Sequence, residues 1–177
     1  MTEYRRARMA GATWFFTVGL AERRGNRLLV EHINRLRTAM AQVQARHPFK
    51  VDAVVVLPDH LHCIWTLPAG DSDYGVRWGL IKSRFSREVV CNERRSQSRM
   101  RRGERGIWQR RFWEHLVRND EDFERHADYI HYNPVKHGWA KSPVEWPHSS
   151  FRRFVERGVY AADWGGNGQL GVASVGE

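Results

Sequence analysis

The stretch from Val51 to Leu67 constrains the fold more than any other part of the chain. Val51 to Leu57 is a β-branched, apolar run, Cys63 to Leu67 is a second one, and Pro58-Asp59 interrupts them. Two short apolar runs about a Pro-Asp turn read as two strands of one sheet. The second run begins His60-Leu61-His62. Successive side chains of a strand point to opposite faces, so Leu61 lies on one face and both imidazoles on the other. Neutral imidazoles on neighbouring same-face positions can converge on one divalent ion. Taken alone, such a pair is more often two histidines on a solvated sheet face.

The flanking sequence supplies the remaining elements of one layered domain. Thr13 to Leu20 is aromatic and β-branched, and predicts a strand. From Val30 to Arg46, Val30, Ile33, Leu36, Met40 and Val43 recur at helical steps, and His47-Pro48 closes the helix. Trp78, Ile81, Phe85 and Val89 repeat in the same way over a basic helix from Val76 to Val90. Asn92 to Gly106 is crowded with arginine and has no apolar periodicity, which predicts a mobile loop. Ile107 to Val117 reads as a further strand, and Asn119 or Asp120 caps a helix that Asn133-Pro134 should end.

The order strand, helix, strand, strand, helix, strand, helix predicts an α+β fold, a ferredoxin-like antiparallel sheet with helices packed on one face. A basic arm (1–12) precedes this single domain (13–164), and a Gly-rich tail predicted to be disordered (165–177) follows it.

Charge selects the partner class. The 177 residues carry 29 Lys and Arg against 20 Asp and Glu, a formal charge of +9, and such a surface draws in polyanions, nucleic acid first. Phosphate contacts are expected from Arg5 and Arg6 of the arm, from Lys82, Arg84 and Arg87, and from the basic run Arg94 to Arg111. Trp108, Phe112 and Trp113 interleave with Arg110 and Arg111, a mixture suited to stacking unpaired bases while holding their backbone. The alternative places those aromatics in the core and the arginines on a solvated face. No apolar run approaches the roughly 18–20 residues that span a bilayer. Cys63 and Cys91 are too few for a disulfide framework, so a reducing, cytoplasmic setting is expected.

A metal held by His60 and His62 needs further ligands. Tyr129 and Asn133 are four residues apart on the predicted helix and project together. The Asn133 carbonyl oxygen is a hard ligand that suits Mg2+ or Mn2+. Singly, each has a plainer reading: Tyr129 as a half-buried helix aromatic, Asn133 as a helix stop before proline.

Together, His60-Leu61-His62 and Tyr129-x-x-x-Asn133 resemble the HUH (histidine-hydrophobe-histidine) transposases that use a single tyrosine, above all their REP-associated tyrosine transposase branch. VVVLPDHLHCIWTLP, RWGLIKSRFSRE, ERGIWQRRFWEH, DYIHYNPVKHG and WPHSSFRRFV extend the likeness, in that family's order, from Tyr4 to about Trp164.

The resemblance implies that Tyr129 is the nucleophile and that His60, His62 and Asn133 bind the metal, Asn133 standing where related insertion-sequence transposases have glutamine. It implies a metal-dependent endonuclease and strand transferase acting on single-stranded or hairpin DNA with REP-like palindromes, through a 5′-phosphotyrosine intermediate. A bacterial, nucleoid-associated monomer is expected, with a dimer the arrangement of related insertion-sequence enzymes. Two other readings compete: a REP-hairpin-binding regulatory protein with a vestigial site, and a metal-dependent hydrolase of small molecules.

Overall fold

Alternation in Thr13–Gly19 (β1) sends Trp14, Phe16 and Val18 to one face and Phe15 and Thr17 to the other, and the fold is layered accordingly. The computed structural model describes residues 8–90 and 95–166. After β1 come Leu28–Glu31 (α1), Ile33–Arg46 (α2), Lys50–Val56 (β2), His60–Thr66 (β3), Tyr74–Glu88 (α3) and Gln97–Arg101 (α4). Trp113–Leu116 (β4), Asp120–Lys136 (α5) and Phe151–Glu156 (α6) complete it. All pairings in the β2-β3-β1-β4 sheet are antiparallel, the ferredoxin-like arrangement. The register sets Thr17 beside both His62 and Trp113, Phe15 beside both Ile64 and His115, and Gly19 beside His60.

One face carries the larger core. Leu36, Ala39 and Val43 of α2 and Trp78, Ile81 and Phe85 of α3 pack on Trp14, Phe16, Leu61, Cys63 and Trp65. Trp65 lies 4.2 Å from the rings of both Phe49 and Trp78. Aromatic pairs of this kind contribute roughly 0.5–1.5 kcal/mol each beyond their buried area. Of the three helices expected on one face, α2 and α3 lie there and the third, α5, lies on the other, because its apolar stripe packs on the second face of the sheet. The opposite face is covered by α5 and α6, where Ala127, Tyr129, Ile130 and Phe154 pack on Phe15, Ala53, Val55 and Ile64. That second layer lies over the histidine-bearing side of the sheet.

Three local readings change. Asn133-Pro134 does not end α5, which continues to Lys136. The helix stops in a Schellman turn: Gly138 N–H donates to Val135 O (2.9 Å), Trp139 N–H donates to Pro134 O (2.8 Å), and Gly138 has φ +71°. Proline removes the single bond that an N–H at this position would give the Ile130 carbonyl, and the helical pattern resumes after it, with His137 N–H donating to Asn133 O (3.0 Å). Within the arginine-rich stretch, Ser96 caps the five-residue α4, which is too short to show a period. Arg105 fastens the following loop to the carbonyls of Ser86 and Val89. Of the strand expected over Ile107–Val117, only Trp113–Leu116 pairs in the sheet; Trp108 makes an isolated bridge with Leu20. Arg5, Arg6 and residues 167–177 of the expected tail lie outside the described residues.

Candidate active site

The turn before β3 fixes the two histidines. Leu57 N–H donates to His60 O (2.8 Å), Leu20 N–H to Asp59 O (2.8 Å) and Leu29 N–H to Pro58 O (3.1 Å), so three segments meet at Pro58-Asp59. His60 and His62 point to the same face, as strand alternation requires, but they are not solvated: they are 2% and 0% exposed. The helix layer above them accounts for that burial.

Each imidazole is held through Nδ1. His60 Nδ1 lies 2.7 Å from Asp59 Oδ1, and Arg23 Nε donates to Asp59 Oδ2 at 2.7 Å. Burial alone would raise the Asp59 carboxyl, but its hydrogen bonds with His60 and Arg23 outweigh that and hold it at about 2. His62 Nδ1 lies 2.9 Å from Thr17 Oγ1. Burial first, then the charges of His60, His137, Lys136 and Arg23, keep His62 neutral by holding it well below the usual histidine range. Asp59 can only accept and Thr17 Oγ1 can do so, and in the tautomers that donate to them from Nδ1 each Nε2 keeps its lone pair; Arg23 Nη2 also lies 3.0 Å from His60 Nδ1. Both Nε2 atoms are buried with no hydrogen-bond partner in the protein. Outer-shell groups that fix Nδ1 and leave Nε2 available are what a metal-binding histidine needs.

The stripe along α5 meets this pair. Tyr129 is 2% exposed, and its ring packs edge-on against His62, centroids 5.1 Å apart. One turn later, Asn133 is fully buried with neither its Oδ1 nor its Nδ2 hydrogen-bonded. An amide left in that state costs on the order of 1–3 kcal/mol, so a ligand that used its oxygen would be well repaid. Two imidazole nitrogens and an amide oxygen, all buried and all lacking partners in the protein, fit a divalent ion that accepts mixed nitrogen and oxygen ligands.

Lys136, two turns beyond Tyr129 on the same stripe, sets its Nζ 4.9 Å from the Tyr129 ring centre. His137 brings its ring 5.3 Å from that of His60. Tyr132 is held elsewhere, its ring 6.4 Å from Trp164. His131 is buried against Ser150 Oγ (2.9 Å).

Sequence reasoning missed a second cluster at the other end of α5. Ligand atoms of His115, Asp122 and His126 lie within 4.8 Å of one another, close enough to hold a metal ion. Their contacts are those of a brace. Asp122 accepts from His115 Nε2 (2.9 Å), Arg118 N–H (3.0 Å) and Arg125 Nη2 (2.5 Å). The His115 and His126 rings are stacked 20° from parallel, so their in-plane lone pairs do not converge. The visible signal was Asp122 and His126 at helical spacing, with His115 alternating into the same face.

The expected DNA-binding residues divide. Trp113 is 36% exposed on the site-bearing face, in register with Thr17 and His62. Trp108, expected to stack on bases, is a core residue against Phe85, because the chain turns inward to bridge Leu20. Lys82, Arg84 and Arg87 belong to α3, on the layer opposite Tyr129. Lys82 and Arg87 line, with Arg99, Arg102, Arg105 and Arg110, a basic cavity of about 570 Å3. Arg84 bonds to Gln42 of α2 (3.0 Å), Arg110 pairs with Glu104 (3.0 Å), and Arg111 is exposed. Among the described residues, no helix is long and apolar enough to cross a membrane.

No protein-family model matches the chain. Over 167 residues it is 48% identical to the REP-associated tyrosine transposase of Escherichia coli strain K12, covering 94% of this chain and 93% of that one. A relative from Haemophilus influenzae with the same family description is 43% identical over 173 residues, 97% of this chain and 98% of that one. A solved REP-associated tyrosine transposase bound to a REP hairpin superposes with a TM-score of 0.80 at 45% identity, covering 99% of this chain and 98% of that one.

Proposed function

Because this chain belongs to the REP-associated tyrosine transposases, we propose that it cleaves and rejoins single-stranded DNA at the foot of REP-type hairpins, with Tyr129 as nucleophile. One observation carries the reading: the Tyr129 ring packs edge-on against that of His62, the His62 ring meets that of His60, and the Nε2 atoms of both histidines are buried without a partner. Asn133, one turn along α5 from Tyr129 and also unpartnered, supports the reading as the further ligand. The transposase solved with a REP hairpin supports hairpin DNA as the substrate.

His60 and His62 would hold a divalent ion, Mg2+ or Mn2+, through Nε2, and Asn133 through Oδ1. When bound, the ion supplies Lewis-acid withdrawal of charge from the scissile phosphate. Thr17, Asp59 and Arg23 keep the imidazoles oriented. The Tyr129 oxygen attacks phosphorus in line, and the bond from phosphorus to the 3′ oxygen breaks. The phenolic proton passes to solvent and the departing 3′ oxygen takes one up, leaving a 5′-phosphotyrosine and a free 3′-hydroxyl. Lys136 sets a cation against the ring that gains negative charge during attack. Attack by a 3′-hydroxyl on the phosphotyrosine reverses the step and rejoins strands with no nucleotide consumed.

The test is incubation with labelled single-stranded hairpin DNA, with and without Mg2+, for native protein and Tyr129→Phe. A metal-dependent adduct on a denaturing gel, absent from Tyr129→Phe, is expected. Binding without any adduct would instead favour a hairpin-binding regulator.

A further inference from the structure

Resting on that reading, we propose that Arg27 and Trp139 form a stacking platform for one unpaired nucleobase of the DNA strand, beside the His60 end of the site. Trp139 is 43% exposed, whereas Trp14, Trp65 and Trp78 are at most 1% exposed. A single exposed ring is ordinary; what sets Trp139 apart is the Arg27 guanidinium over it and the tie of both residues to the site.

Its position is fixed. Trp139 ends the Schellman turn that stops α5, its N–H bonded to Pro134 O (2.8 Å), so its backbone is rigidly tied to the helix bearing Tyr129 and Asn133. His137, two residues earlier, meets His60. Arg27 is exposed and carries its guanidinium 5.4 Å from the centre of the Trp139 ring. Arg27 also belongs to the same loop as Arg23, which grips the Asp59 carboxylate next to His60. Both partners are thus tied to the site, one through α5 and the other through the turn before β3.

The chemistry selects the occupant. An indole offers a π-face to any base, and the Arg27 guanidinium over the Trp139 ring adds a stacking plane of its own and a phosphate contact. Only unpaired bases expose their faces, which matches a strand opened for attack by Tyr129. Trp146 lies 6.4 Å from Trp139 with the rings at 42°, splayed rather than stacked, so packing between the two indoles does not use up the Trp139 face. Arg23, Lys136 and His137 make the surroundings suited to a polyanionic strand.

The experiment measures binding of native protein, Trp139→Ala, Trp139→Phe and Arg27→Ala to hairpin DNA with a single-stranded flank, and to the same DNA with an abasic site at each flank position in turn. Trp139→Ala should weaken binding to intact DNA about tenfold, and Trp139→Phe much less. At one flank position the abasic site should weaken native binding by the same factor and abolish the difference from Trp139→Ala. Equal binding by native protein and Trp139→Ala, or a deficit that no abasic position removes, would overturn the platform. So would Trp139→Ala disrupting self-association on size-exclusion chromatography while leaving DNA affinity intact. Adduct formation by native protein on intact DNA, run alongside, separates the two ideas. Its absence sinks the proposed reaction, and its presence with an indifferent Trp139 sinks only the platform.

Discussion

Replacing Asp122 by Asn tests the brace that joins β4 to the first turn of the helix carrying Tyr129. Burial alone would raise the Asp122 carboxyl, but hydrogen bonds from His115, the Arg118 amide and Arg125 lower it from 3.8 to about 2. A carboxyl whose folded value lies below its unfolded one adds stability that is present above the unfolded value and is lost as pH falls through the folded one. Here the contribution is about 2 kcal/mol at neutral pH, reduced to about half at pH 3 and to a few tenths at pH 2. Asn keeps the shape and one acceptor but cannot ionise. Urea unfolding followed by tryptophan fluorescence should therefore separate the two proteins by about 2 kcal/mol at pH 7, with the gap narrowing from pH 4 downward. A gap below about 0.5 kcal/mol at pH 7, or one unchanged between pH 7 and pH 3, would refute the electrostatic account of the brace.

Other consequences are open to direct measurement. Phe15 is fully buried and touches His62, His126, Tyr129 and Trp113, so Phe15→Ala should cost about 3–5 kcal/mol in urea unfolding; a loss under about 1 kcal/mol would mean the α5 layer is not packed as described. Calorimetric titration with Mn2+ should show binding that His60→Ala and His62→Ala abolish and His115→Ala leaves; loss only in His115→Ala would move the ion to the brace. Hairpin affinity should fall steeply with salt, and Arg87→Ala should reduce the slope of log affinity against log salt by about 1 if Arg87 contacts a phosphate; an unchanged slope would place Arg87 off the DNA path.

Sheet and site were legible to different depths. Alternation in β1 and β3 gave the faces of the sheet, and the His60-Leu61-His62 pattern gave the facing of the imidazoles, because strand periodicity is a local property of the backbone. The spacing of Tyr129 and Asn133 was likewise local to one helix. What periodicity does not carry is which layer covers which face. Nothing in the α3 pattern says that Lys82, Arg84 and Arg87 sit across the sheet from Tyr129, and nothing in the pattern of Ile107 to Val117 says that Trp108 turns into the core. Pro134 misled for a physical reason: near a helix end it removes one bond, while the stop itself is set three residues later by the turn that Gly138 and Trp139 close. Thr17, Asp59 and Arg23 were invisible as partners of the histidines, since only tertiary contact identifies them.

The central claim is that Tyr129, and no other phenol, attacks DNA within reach of His60, His62 and Asn133. The decisive measurement is mass spectrometry of the trapped adduct after nuclease and trypsin treatment, on the peptide from His126 to Lys136, which holds both Tyr129 and Tyr132. Fragmentation should place the nucleotide on Tyr129. A nucleotide on Tyr132, whose ring packs toward Trp164 rather than His62, would contradict it.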